Sequence, residues 1–417
     1  MTASAATDGA ATTASAATSD SAAASDSAAA TDSAAASESA AATDSPRTDT
    51  GGARTGISFA RHPSGSPLPG QERARILASP GFGVAFTDHM ITIRCTAERG
   101  WHDGRLEPYG PISLPPATSV FHYAQEIFEG LKAYRQHSGP IVAFRPQANA
   151  ARFNRSAVRM AMPQLPEATF VRALELLVTQ DRDWVPTAEG HSLYLRPFMI
   201  ATHPGLGVSR PSPSYLFVVI ASPAGPYFSA GPVSVWLAEN YTRAAPGGTG
   251  EAKCGGNYAG GFAGQQEALA HGCDQVVWLD AVEHRWVEEM GGMNLFFVYG
   301  SGRSARIMTP ALTGTLLPGI TRDALLTLGP DLGIPAEEGR ISVEQWRTGC
   351  VSGEITEVFA CGTAAVITPV ATIKGATGSW TVGGAEPGPV TSRLKEQLLG
   401  IQFGSLPDPH GWIHKII

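Results

Sequence analysis

Two hydrophobic periods alternate along most of this chain. His191 to Ile200 (HSLYLRPFMI) carries apolar residues at alternate positions, the repeat of a half-buried strand. Ser214 to Ile220 (SYLFVVI) is apolar almost throughout, as expected of a strand covered on both faces. Ala85 to Cys95 predicts an early strand, Val233 to Ala238 another, and Gln275 to Tyr299 a longer β run; Thr118 to Tyr134 combines a strand signal with a Phe-Glu-Gly loop. Between these segments the period lengthens. Ala151, Val158 and Met162 mark a helix over 149–162, and Leu165 to Thr179, rich in Leu and Ala, a second. Further helices are predicted over 321–328 and 390–401, and Ser342-Val343-Glu344-Gln345 has the spacing of a capping box. The pattern predicts an α/β (α+β) protein.

Two stretches break it. Residues 1–50 contain a six-residue unit recurring from Ser25 (SDSAAA, TDSAAA, SESAAA), with no aromatic residue and no Val, Leu or Ile. Such a segment cannot bury enough apolar area to offset the entropy of ordering it. Ala221 to Pro232 (ASPAGPYFSAGP) holds three prolines and two glycines and reads as a linker. The expected organisation is a disordered tail over 1–56, a first domain over 57–221, an interdomain loop over 222–232 and a second domain over 233–417.

Charge sharpens this division. Of 417 residues, 37 are acidic and 30 basic, a net of −7, and the first 50 hold seven of the acids against one base, Arg47. The body is therefore nearly neutral, which argues against nucleic-acid binding and offers no polybasic patch for a membrane. No run of about 18 apolar residues predicts a membrane span. The tail lacks the apolar stretch of a secretory signal and is too acidic for a transit peptide. Five cysteines without metal-ligand spacing fit neither a metal site nor a disulfide framework, so a reduced cytoplasm is expected.

Candidate chemistry centres on Gly247 to Tyr258 (GGTGEAKCGGNY), one lysine among many glycines. It is no Walker A loop, because Cys254 follows Lys253 where Ser or Thr is required. A lysine that bonds covalently to a carbonyl needs a tight, partly desolvated pocket. If that carbonyl is pyridoxal 5'-phosphate, an arginine and free backbone N–H groups must hold its phosphate, and a carboxylate must keep its ring nitrogen protonated. Arg152, early on a predicted helix, suits the phosphate, although it suits a surface ion pair as well. Glu289 in EEMGGMN suits the ring nitrogen, with Glu288 an equal choice by sequence. Leu317-Pro318-Gly319-Ile320-Thr321 runs into a helix whose first N–H groups could hold a phosphate. Cys361-Gly362-Thr363-Ala364-Ala365 is a small-residue turn that allows close backbone contact with a ligand.

Eight blocks in order then resemble the branched-chain amino acid aminotransferases of the fold-type IV pyridoxal-phosphate class. They are FTDHM (86–90), FEGLKAYR (128–135), RPQANAARF (145–153), LYLRP (193–197), AKCGGNY (252–258), EEMGGMNLFF (288–297), LLPGITR (316–322) and EVFACGTAAV (357–366). The resemblance implies a small N-terminal α/β domain, a larger C-terminal domain with a mixed, β-barrel-like sheet, and a homodimer acting on small amino acids and 2-oxo acids. It implies that Lys253 bonds to the cofactor and moves the proton between substrate Cα and cofactor C4′. Tyr258 matches the partner of cofactor O3′, Glu289 that of the ring nitrogen, and Arg152, Ile320, Thr321 and Thr363 the phosphate cup. Phe82, Phe128, Tyr194 and, from the neighbouring subunit, Tyr123 match the wall of the side-chain pocket. Arg196 matches the residue linked to the distal carboxylate of glutamate, and Ala364 and Ala365 the backbone site of the α-carboxylate; Tyr227 falls in the interdomain loop. Gly292 stands where some members have threonine, and Ala365 and Thr368 stand where some carry a CxxC pair. The implied reaction exchanges an amino group between L-leucine, L-isoleucine or L-valine and 2-oxoglutarate. A D-amino acid aminotransferase or aminodeoxychorismate lyase of the same fold is the nearest alternative, and a catalytically silent ligand-binding or scaffolding protein the more distant one.

Overall fold

The computed structural model describes residues 57–228, 231–384 and 386–417, so the tail expected over 1–56 lies outside the described residues. Those residues form two nine-stranded sheets. The first contains β1 (Phe59–Arg61), β2 (His89–Thr96), β3 (Gly100–Pro108), β4 (Glu126–Phe128), β5 (Leu131–Arg135), β6 (Ile141–Phe144), β7 (Ser192–Ala201) and β8 (Ser214–Ala224). The second contains β9 (Val233–Ala238), β10 (Gln275–Leu279), β11 (Val287–Met290), β12 (Met293–Tyr299), β13 (Arg306–Pro310), β14 (Ala336–Gly339), β15 (Ile355–Gly362), β16 (Val366–Gly375) and β17 (Gly378–Thr381). A last strand, β18 (Ile413–Lys415), returns to the first sheet and pairs antiparallel with β6. The helices are α1 (Gly70–Ala78), α2 (Ser119–Tyr123), α3 (Pro146–Arg159), α4 (Glu167–Gln180), α5 (Gly255–Ala259), α6 (Phe262–Ala270), α7 (Ile320–Asp331), α8 (Val343–Ser352) and α9 (Pro389–Phe403).

The first sheet runs β1-β3-β2-β8-β7-β5-β6-β18, with β4 on β7. Its β7 shows how the period-two pattern builds a site: Leu193, Leu195 and Met199 enter the core beneath α3 and α4, so Tyr194 and Arg196 take the other face. In the second sheet β11 pairs with both β10 and β12, closing six strands into a ring. Val235, Val277, Leu295, Phe297 and Trp346 pack within its core. A third cluster joins Tyr134, Val142 and Phe144 of the first sheet to Phe296, Phe359 and the α9 residues Leu394 and Leu398.

The expected elements are present with shifted ends, except that the stretch from Thr118, expected as a strand, opens with the helix α2 before β4 and β5. α3 starts at Pro146, a residue whose missing N–H is harmless in a first helical turn. The capping box forms at α8, with Ser342 and Gln345 each accepting from the other's backbone N–H. The predicted linker begins later than its prolines suggest, because β8 continues through Pro223 to Ala224. Pairing of β2 with β8 stops at Val219, while β7 still pairs opposite Pro223, so the proline occupies an edge where a ladder donor is not required.

Candidate active site

Lys253 lies between the two sheets. Its N–H donates to Ser156 Oγ on α3 at 2.9 Å, and its carbonyl accepts from Phe128 N–H at 2.9 Å. The Gly-rich run before it is a folded loop: Asn257 Nδ2 donates to the carbonyls of Thr249 (2.7 Å) and Ala252 (2.9 Å). Gly250 lies so close to the Thr315 backbone that a Cβ there would overlap it. Lys253 Nζ is 2.9 Å from Tyr258 Oη and 4.9 Å from the centre of the Phe128 ring.

Around this amine is a cavity of about 420 Å³. Phe82, Phe128, Tyr194 and Tyr227 form one aromatic side, with Phe82 packed edge-on to Tyr194 at 5.0 Å and to Tyr227 at 4.9 Å. Arg196 lies over the Phe128 ring at 4.8 Å and donates to Tyr194 Oη at 3.2 Å. Its Nε is buried without a hydrogen-bond partner, and no carboxylate among the described residues lies within ion-pair distance of it. Gly292, Ile320, Thr321, Thr363 and Ala364 line the opposite side. α7 has no side-chain cap at Gly319, so the N–H groups of its first turn are available to an anion.

Two buried ion pairs back this cavity. Arg152 projects from α3 in the stripe that also carries Asn149 and Ser156. Its Nε and Nη2 donate to the two oxygens of Glu129 at 2.7 and 2.8 Å, and Nη1 donates to the Pro318 carbonyl at 3.1 Å. Burial would raise Glu129, but Arg152, with Lys253 and Asn149, holds its carboxyl below the usual range. On the other sheet, the tight turn Gly291-Gly292, with Gly291 at φ 55, joins β11 to β12 and sets Glu289 opposite Asn294. Glu289 is 1% exposed, accepts from Leu317 N–H and pairs with Arg243 Nε at 3.1 Å. Burial raises its carboxyl above the usual range, against the pull of Arg243, the Leu317 N–H and Lys253.

The structure thus brings together most of the residues singled out from sequence. Glu289 stands behind the lining, touching it through Asn294 and Leu317. Glu288 points away and accepts from Thr315 Oγ1 at 2.5 Å. Ala365 follows the lining residue Ala364 in the turn, and Tyr123 lines a separate groove of about 740 Å³ with His203 and Val208. Sequence reasoning missed Glu129, although it stands in the Phe-Glu-Gly block, and Arg243, for which no local pattern exists.

The Amino-transferase class IV family pattern matches residues 126–373. A probable branched-chain-amino-acid aminotransferase of Streptomyces coelicolor is 60% identical over 85% of this chain and 97% of its own length. The chain belongs to the branched-chain-amino-acid aminotransferases. A family member from Mycolicibacterium smegmatis is 56% identical over 86% of this chain and 98% of its own. The solved Escherichia coli branched-chain amino acid aminotransferase has a TM-score of 0.66 at 28% identity, covering 79% of this chain and 99% of that one. A branched-chain amino acid aminotransferase of T.th., complexed with N-(5'-phosphopyridoxyl)-L-glutamate, has a TM-score of 0.63 at 26% identity, covering 78% and 98%. The fold of this aminotransferase is accordingly fold type IV. Its donor set fits a pyridoxal phosphate: a lysine amine beside a phenol, a buried carboxylate paired with Arg243, and an uncapped helix start crowded so closely that a Cβ on Gly319 would strike Asn294 Oδ1.

Proposed function

We propose that this aminotransferase exchanges the amino group of L-leucine, L-isoleucine or L-valine with 2-oxoglutarate, giving the branched-chain 2-oxo acid and L-glutamate. One observation carries the reading: Lys253 Nζ opens into an aromatic-walled cavity lined by two arginines, Arg152 paired with Glu129 and Arg196 with an unmet donor. Aliphatic side chains gain burial against Phe82, Phe128 and Tyr194, worth about 25 cal/mol per Å². A glutamate side chain in the same space meets Arg196, whose charge is otherwise stabilised by the faces of Phe128 and Tyr194. Ile320, Thr321 and Thr363, with the N–H groups of Arg152 not engaged by Glu129 or Pro318, would hold the phosphate of pyridoxal 5'-phosphate. Bound there, the cofactor supplies an aldehyde for the amino group and a ring that delocalises the electrons left at Cα. With the cofactor bound, Lys253 Nζ, oriented by Tyr258 Oη, would take up and return the proton of substrate Cα. Glu289, as an ionised carboxylate, would hold a proton on the ring nitrogen, and the backbone of Ala364 and Ala365 would receive the α-carboxylate.

Several further features belong to the same reading. The two sheets support the division between 57–221 and 233–417, with the 222–232 connection shortened to the residues after Ala224 and β18 returning across it. Tyr123 faces away from its own cavity, and Phe121 and Val208 are exposed beside it, which supports a homodimer in which Tyr123 completes the partner's pocket. A cytoplasmic location accords with five unpaired cysteines and with no helix, among the described residues, long and apolar enough to cross a membrane. The deciding experiment is borohydride reduction of the purified protein followed by peptide mass spectrometry and a donor panel with 2-oxoglutarate. The pyridoxyl mass is expected on Lys253, with turnover of the three L-donors. Turnover of D-alanine but not L-leucine would favour the D-amino acid enzyme, and absence of any adduct a silent protein.

A further inference from the structure

The side chains of β5 alternate: Leu131 and Ala133 enter the first core, while Lys132 and Tyr134 face the second sheet. Lys132 is only 5% exposed, and burial lowers its ammonium to about 8. A lysine is costly to keep in such a place without a function for its charge. Its Nζ donates to the carbonyl of Ala364 at 2.9 Å, its one protein acceptor among the described residues. The remaining donors face a cavity of about 20 Å³, room for a single water, shared with Asn149, Thr321 and Thr363.

Ala364 sits in the three-residue turn between β15 and β16, where Gly362 pairs with Val366. Val366 closes that turn at φ 61, a left-handed conformation that suits glycine and strains a β-branched side chain. The turn therefore gains from a fastening outside itself. In a planar trans peptide the C=O and the following N–H point in opposite directions. With the Ala364 carbonyl drawn to Lys132, the Ala365 N–H is aimed away from the lysine. Neither Ala364 nor Ala365 donates its N–H to a protein backbone acceptor among the described residues.

We propose that Lys132 is the positioning residue of the α-carboxylate site: its ammonium holds the Ala364–Ala365 peptide with its N–H outward and keeps a positive charge directly behind the turn. The proposal rests on the functional reading above, in which that turn receives the carboxylate common to all the substrates. Lys132 acts through the peptide and through its field, so it should matter equally for leucine and for glutamate, unlike Arg196.

The test is an absorbance titration of the cofactor-loaded protein with 4-methylpentanoate and with its uncharged isostere, 4-methylpentanamide. Lys132→Met should weaken the carboxylate about tenfold or more while changing the amide less than about twofold. Cofactor affinity, followed by fluorescence on refilling the apoprotein, should stay within about twofold. Lys132→Arg, which retains the charge, should recover most of the lost carboxylate affinity. If Lys132→Met does not fold, Lys132→Gln is measured in its place, with the same selective loss expected. Equal losses for the two ligands, or none for the carboxylate, would overturn the proposal while leaving the functional reading intact. A wild-type protein that takes up no cofactor would overturn both.

Discussion

Two buried arginine–carboxylate pairs flank the cavity, one from each sheet, and their surroundings set them to opposite states. Glu129 gives both oxygens to Arg152 in a closed fork and receives Asn149 as well, so its carboxyl is held below the usual range. Glu289 gives one oxygen to Arg243 Nε and the other to a backbone N–H, and burial wins, so its carboxyl is held above it. The first pair is a fixed anion that orients a cation. The second is held less firmly as an anion, and it is as a carboxylate that it would accept from a protonated ring nitrogen. Equal burial does not mean equal chemistry: the number and geometry of the compensating donors decide it.

The most damaging way to break this contrast is Glu129→Gln, which strands Arg152 without its counter-charge. Loss of one partner of a buried pair costs about 3–5 kcal/mol, and denaturant unfolding should register a drop of that size. Glu289→Gln should act mainly on chemistry instead. A turnover loss of about 10²-fold, or about 2.7 kcal/mol, is expected in steady-state assays, with a smaller loss of stability than at Glu129, because the surroundings of Glu289 favour its ionised form less than those of Glu129 do. If the two variants lose stability equally, the contrast fails.

Arg196 sharpens the comparison as an arginine with no carboxylate within ion-pair distance among the described residues, although its field reaches Glu126. Arg196→Ala should reduce kcat/KM for glutamate about tenfold more than for leucine, a difference of about 1.4 kcal/mol; matched losses would deny it a role in acid recognition. The smallest effect concerns pH. Glu129, with its folded value below the ordinary 4.5, contributes stability present above that value and lost as pH falls through the folded one. Glu289, raised above 4.5, has the reverse sign, and its contribution fades as pH climbs from 4.5 through its folded value. Unfolding free energies measured over the acid range should therefore flatten below about pH 4.5 in Glu129→Gln, and steepen upward above it in Glu289→Gln.

Much of this was readable before any fold was known. The alternation in 191–200 predicts a strand, observed as β7 one residue later, and puts Tyr194 and Arg196 on one face, because two residues along a strand share a side. The β run expected over 275–299 is present, turned back on itself at the Gly pair after Glu289, and the capping box at Ser342 forms as its spacing requires. Local pattern reaches no further than neighbours in sequence. It could not choose between Glu288 and Glu289, which differ only in the face of β11 they occupy. Nor could it find Arg243, whose value comes from reaching Glu289 and the Thr315 carbonyl across three loops.

The chain on its own determined the elements, the lysine and the small-residue turns, since these follow from periodicity, propensity and backbone freedom within a few residues. Only tertiary structure decided which charges pair, which carboxyl is shifted up and which down, and which donors remain unmet. Those depend on how much water is excluded and on what groups distant segments bring within about 3 Å of one another.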